Sequence, residues 1–272
     1  MKKALTISLL LVAAAASAQT TPEDFLASYR RQTAAAGPAG LGVKGIIEDW
    51  RKAWPDDTLM LRAVFTYNLA KGRAAAVVTR NQKKYLGREA FLTLKDSTGL
   101  DVYYFEVPVY DDACFAEAQR AVERAIVLAP ANISYRFDRI SSLLDYEGGS
   151  PDMAVTAILD LVDFSRGRHP AWNYDGEPFG EDDFADAMKD YCYVLWNYCT
   201  PEGYESFYLI SEKMHHARPK DPGFLDNMGA YWQVVRKNPR KASAFYKKDL
   251  KLDPDDYAAK KNLQIIDKTK AK

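Results

Sequence analysis

Four sets of residues in this chain have types and spacings that could do chemistry: a glycine-rich hexamer, three histidines, three cysteines and several paired carboxylates. Gly40-Leu41-Gly42-Val43-Lys44-Gly45 has the spacing of a phosphate-cradling loop. Such a loop works when a strand precedes it and a helix follows, so that backbone N–H groups face the phosphate. Ala34-Ala35-Ala36-Gly37-Pro38 is no strand, and Lys44 misses the P-loop position. The hexamer therefore reads as a turn between helices over 22–35 and 43–54. His169, His215 and His216 form no His-Glu-x-x-His, and there is no Cys-x-x-Cys. Adjacent histidines point to different sides of a helix, which spoils convergence with Cys192 and Cys199 on a zinc ion. No Gly-x-Ser-x-Gly elbow presents a serine nucleophile. The pairs Asp56-Asp57, Asp111-Asp112, Asp182-Asp183 and Asp255-Asp256 each precede a helical pattern, where acids suit the positive end of the helix dipole. Capping accounts for them without catalysis. Asn173-Tyr174-Asp175-Gly176-Glu177 lacks the alternating ligand order of an EF-hand and reads as a solvated acidic loop. The expectation is no catalytic residue, no metal and no cofactor.

Recognition chemistry is more visible. Aromatic residues concentrate between 172 and 208. Phe184, Met188, Tyr191 and Leu195 follow one another at intervals of four, three and four, the spacing of one buried helix face. Tyr193 and Trp196, with Asp186 and Lys189, lie off that face. Exposed aromatics beside charges suit protein or peptide recognition, and packing against the next helices is the competing explanation. Trp172, Tyr174, Tyr193 and Trp196 are the candidate partner-binding residues.

The elements that must position them are announced by a repeated signal. Pro55-Asp56-Asp57, Pro130-Ala131-Asn132, Pro219-Lys220-Asp221 and Pro254-Asp255-Asp256 each place a helix-breaking proline two residues before an Asp or Asn. The second residue can cap the next helix by accepting from its free N–H groups. Helical patterns follow over 59–69, 134–144, 224–235 and 257–266, and another spans 184–199. Amphipathic helices in pairs joined by short turns read as an α-solenoid.

Met228-Gly229 followed by Trp232, then Ala242, Tyr246 and Pro254, resembles a tetratricopeptide repeat. Pro219 and Pro254 lie 35 residues apart, against about 34 for the family. Leu225 stands where the family prefers Trp, and Asp249 where it prefers Ala. The resemblance covers 219–256 best and 115–169 less well. It implies an all-α superhelical solenoid of helix pairs that recognises peptides or partner surfaces on its concave side. The interval from Pro55 to Pro130 is too long for one repeat, and 71–111 holds the excess. There, Ala90 to Leu94 and Leu100 to Phe105 flank Asp96-Ser97-Thr98-Gly99, which predicts an inserted β-hairpin over about 88–107. A second insertion covers 172–183. A single domain over 19–272 is favoured over a mixed α+β unit to about 110 followed by a helical one, because no linker rich in Gly, Ser or Pro separates the halves.

Residues 1–18 carry Lys2 and Lys3, an apolar run over 4–16 and a closing Ala16-Ser17-Ala18, the arrangement of a cleavable secretory signal with Gln19 as the mature N-terminus. Export to the periplasm or beyond is expected, and no integral membrane segment, since no later stretch approaches eighteen apolar residues. The full chain has 272 residues with 37 basic and 37 acidic side chains. That balance argues against a nucleic-acid partner, and three cysteines are too few for a disulfide scaffold. Charge is uneven: residues 210–272 hold fifteen basic against eight acidic side chains. The expected function is an exported, non-enzymatic scaffold for a protein or peptide partner. A glycan-binding accessory protein and, third, a carboxylate-dependent hydrolase are the alternatives.

Overall fold

The computed structural model of the chain describes residues 20–168 and 170–270. The expected signal at 1–18, its junction with Gln19, and His169 lie outside the described residues. What is described is mostly helical, with eleven helices and three small sheets. The N-terminal helices are α1 (Pro22–Ala36), α2 (Leu41–Ala53) and α3 (Thr58–Gly72). After a β insertion come α4 (Asp112–Leu128), α5 (Ser134–Glu147) and α6 (Asp152–Arg168). A short hairpin then leads into α7 (Glu181–Asn197), α8 (Pro201–Ala217), α9 (Gly223–Val234), α10 (Pro239–Leu252) and α11 (Tyr257–Lys270). Most helices pack against their neighbours in sequence: α1 on α2, α5 on α6, α7 on α8, α9 on α10. The β insertion does not part α3 from α4, and α6 reaches across to α8.

All four proline-led residues accept from a backbone N–H at the start of the next helix. Asp57 and Asp256 do so from the position just before it, Asn132 and Asp221 from one position further out, so that Ile133 and Pro222 hold the cap positions of α5 and α9. Asp57, Asn132, Asp221 and Asp256 accept from the backbone N–H of Leu59, Ser134, Gly223 and Ala259 at 2.8, 3.1, 3.0 and 2.7 Å. Asp57 does a second job. Its other oxygen accepts from the indole N–H of Trp50, at 2.9 Å, so the fully buried ring that anchors the N-terminal core keeps its polar end satisfied. In the glycine hexamer, Gly40 precedes α2 while Gly42 and Gly45 lie inside it, with α1 and not a strand upstream.

The β insertion is larger than the hairpin expected over 88–107. Strands β1 (Arg73–Arg80), β4 (Leu92–Lys95) and β5 (Asp101–Tyr110) form an antiparallel sheet in the order β1-β5-β4. The β4–β5 arm is the predicted hairpin, turned at Asp96 to Gly99. Strand β1 is the correction. It follows α3 with no loop, and its alanines favour helix, so no local signal marks the change. Pairing along all of β1 with β5, from Arg73 opposite Tyr110 to Arg80 opposite Tyr103, overrides that preference. A small hairpin, β2 (Lys84–Tyr85) and β3 (Arg88–Glu89), folds back toward the helices. The second insertion is likewise a hairpin, β6 (Asn173–Tyr174) with β7 (Glu177–Pro178), and α7 starts three residues before the expected Phe184.

Candidate functional site

Two grooves flank α7, and two of the residues chosen from sequence, Tyr193 and Trp196, line one of them. Helix α7 begins with a backbone cap. The Gly180 N–H donates to Asp183 at 2.8 Å, while Glu181 and Asp182 bind Arg218 from the end of α8. Its buried face is Phe184, Ala185, Met188, Cys192 and Leu195, as the four-three-four spacing predicted except that Tyr191 is only partly buried.

The groove between α7 and α9 has a volume of about 380 Å³. Tyr193, Trp196 and Phe207 supply its aromatic wall, and Asp226, Asn227 and Asp256 line it from the α9 and α11 side. Tyr193 is 70% exposed. Trp196 is half-buried, edge-on to Tyr204 at 4.9 Å and tilted over Phe207 at 4.7 Å. Trp196 is therefore both wall and packing. Lys189 sits at the same groove with its ammonium 3.2 Å from Asp186 and 3.1 Å from Asp221. Burial works to lower its pKa, but the two carboxylates outweigh it and hold the pKa above the ordinary value. Asp226 differs. Burial, reinforced by Asp256, pushes its carboxyl up to about 6, and its Oδ1 is buried without a hydrogen-bond partner.

The groove on the other side of α7 lies under the β2–β3 hairpin and has a volume of about 490 Å³, lined among others by Tyr85, Leu86, Arg88, Asp145, Tyr191 and Tyr198. Arg88 is tied down weakly, to the Glu106 carbonyl at 3.2 Å and Asp145 at 3.5 Å. Burial pushes the Tyr198 hydroxyl up to about 12 and raises Tyr191 as well. These phenols stay protonated, and Tyr198 turns its hydroxyl to the Leu144 carbonyl at 3.4 Å.

The four residues expected at one partner surface do not all meet there. Trp172 is a correction: it is 7% exposed, stacked on Phe184 with ring planes 7° apart, and its indole N–H donates to Ser165. It belongs to the core. Tyr174 is exposed but lies apart, against Phe137 and Phe179. Only Tyr193 and Trp196 share a groove. The acidic loop expected to be solvated is pinned instead. Asp175 accepts from Arg62 at 2.7 Å and from the Ser134 hydroxyl at 2.6 Å, and Arg62 also holds Asp138 at 2.7 Å. Burial acts to raise the Asp175 pKa, but Ser134 and Arg62 outweigh it and leave it below the usual range. Burial wins at Asp138, whose carboxyl is raised. The cysteines also separate. Cys192 is buried, its thiol pushed up to about 12 by burial, whereas Cys199 lies past the end of α7 and is exposed. Asp226 and Asn227 were not foreseen, since the chain brings them to α7 from a helix some thirty residues downstream.

Among the described residues, no three His, Cys, Asp or Glu side chains are grouped so as to hold a metal ion, and no helix is long and apolar enough to cross a membrane. No family model matches the chain, and no curated protein matches it either.

Proposed function

We propose that this protein is an exported, non-enzymatic scaffold of tetratricopeptide type that captures a protein or peptide partner in the groove between α7 and α9. The observation that carries the reading is Tyr193, a large aromatic side chain held in the open beside the Trp196 and Phe207 rings on a helix whose other face is core. Rigid aromatic anchors of this kind supply much of an interface's energy. The solenoid reading draws support from the order of packing. The pairs α1–α2, α3–α4, α5–α6, α7–α8 and α9–α10 are followed by α11 as a closing helix, and contacts run mainly between neighbours. It also draws support from Gly229, which admits the Tyr246 ring between α9 and α10, where the family resemblance puts a close helix approach.

Tyr193→Ala is the test, because the ring makes little use of the core. Partner capture from cell-envelope extract is expected to fall about 30-fold or more, on the order of 2 kcal/mol, with the melting temperature unchanged. Trp196→Ala is the contrast and is expected to lower stability, as it removes the packing on Tyr204 and Phe207. Undiminished capture by the Tyr193 variant would remove the groove as the binding face. The export half of the proposal has its own check: the intact mass of protein recovered outside the cytoplasm should correspond to a chain beginning at Gln19. Retention of 1–18 in that fraction would refute it.

A further inference from the structure

We propose that the pocket between α7 and α9 is a receptor for a cationic side chain, a lysine or arginine of the partner, held between the Tyr193 and Trp196 rings and the carboxylate of Asp226. This rests on the reading of the same groove as the partner-binding face and gives it a chemical class. Three independent features converge. The first is the wall: Tyr193, Trp196 and Phe207 offer π surface to a pocket of about 380 Å³, and ring faces attract alkylammonium and guanidinium groups. The second is an unanswered acceptor. Asp226 lines the pocket, yet its Oδ1 is buried and has no donor. Buried acceptors are nearly always paired in folded proteins, and turning the carboxylate toward the pocket would let a ligand N–H complete this one.

The third feature is the balance of charge. Lys189 is the basic residue among those lining the pocket, and its ammonium is already shared by Asp186 and Asp221. Asp226 and Asp256 are left over. Asp256 uses one oxygen to cap α11 at the Ala259 N–H, and from α10 the buried Asp249 adds a further carboxyl near Asp226. A carboxylate crowded by carboxyls and poor in solvent gains when a cation arrives. The acidity is confined to the α7 side: residues 112–209 carry eighteen acidic against seven basic side chains, whereas 210–272, which supply α9 and Asp256, carry fifteen basic against eight acidic, so the pull on a cation comes from the pocket's own carboxylates. An acidic or neutral peptide would leave Asp226 unanswered, which is a reason to reject it.

Titration of labelled protein with n-butylammonium, followed at the Trp196 indole N–H resonance, tests the pocket without a partner. A saturable shift is expected, with n-butanol and butyrate producing none. Asp226→Asn should weaken the response tenfold or more, and so should lowering the pH from 7.5 to 5, because Asp226 takes up its proton near 6. An equal response to n-butanol, or an unchanged response in Asp226→Asn, would overturn the assignment. Short peptides differing only by Lys or Glu at a central position separate it from the scaffold reading. Tyr193-dependent binding of the Lys peptide alone supports both. Equal binding of both peptides, lost in Tyr193→Ala, overturns the cation pocket and leaves the scaffold. An n-butylammonium response with no peptide binding keeps the pocket and overturns the peptide scaffold, and silence in both experiments removes both.

Discussion

Asp249→Asn is expected to make the protein markedly more stable at pH 8 and to flatten its dependence on pH. Asp249 is fully buried in α10, and neither carboxyl oxygen has a hydrogen-bond partner. Burial, then the charges of Asp256, Asp226, Asp253 and Asp221, push its pKa up to about 7. The sign follows from proton uptake. In the unfolded chain the group ionises near 4, while in the folded chain it keeps its proton up to about 7. Between those values the folded state binds more protons, so stability is fully present below about pH 4 and is lost as pH rises toward 7. The full loss from this one group is on the order of 4 kcal/mol, and Asp226, also raised, to about 6, acts in the same direction. Asparagine is close in shape to the protonated acid and cannot ionise. Urea unfolding at pH 5 and pH 8, read by circular dichroism, should therefore show a large gap for the wild type and a much smaller one for the variant. Equal gaps would mean that Asp249 is not the buried acid responsible.

The second large effect is expected from Gly229→Leu. A β-carbon built at Gly229 would stand 2.4 Å from Cε1 and 2.7 Å from Cδ1 of Tyr246, far inside contact distance. The ring cannot move aside freely, since Tyr246 is fully buried and its hydroxyl donates to Gln233 at 2.7 Å. Leucine must then force α9 and α10 apart. Overpacking of this severity costs about 3 kcal/mol, or roughly 6–12 °C in melting temperature for a chain of this length. Calorimetry of wild type and variant checks it. An unaltered melting temperature would show that α9 and α10 are not held in this register.

How much of this was legible in the sequence depends on the range of the interaction that decides each feature. The helix-start hydrogen bonds of Asp57, Asn132, Asp221 and Asp256 are local, each settled within a few residues of a proline, and all four were readable, though Asn132 and Asp221 stand one residue outside the cap position. The buried face of α7 was readable for the same reason, as spacing along one helix. Strand β1 was not. Its state is decided by β5, about thirty residues away, against the local preference of its alanines. Trp172 was misplaced because it stands in a loop where no helical spacing marks a buried face, while its neighbours in space are Phe184 and Phe164. Asp249 was noticed as a departure from the small residue preferred there. Its burial without a partner depends on three helices meeting, which no spacing reveals. In the groove, Tyr193 and Trp196 lie on one helix and were found, whereas the opposing Asp226 comes from another and was missed.

The bond from Arg62 to Asp175 spans 113 positions of the chain, in a molecule otherwise assembled mostly from neighbours. A row of helix pairs joined only to the next pair can come apart one end at a time, because each boundary is a place to stop. Here Arg62 on α3 grips Asp138 on α5 and the tip of the β6–β7 hairpin, and that hairpin is also bonded to Asn132 and Ser134 at the start of α5. Melting the β6–β7 segment therefore removes bonds from the third helix as well as the fifth, so the boundaries between them are harder to open one step at a time. That clasp does not extend to α9 and α10, which pack mainly on each other and on α8 and α11. Cooperativity is thus distributed unequally: the first half of the chain tends to open as a block, and fraying is left to the C-terminal end, where the uncompensated acids also lie.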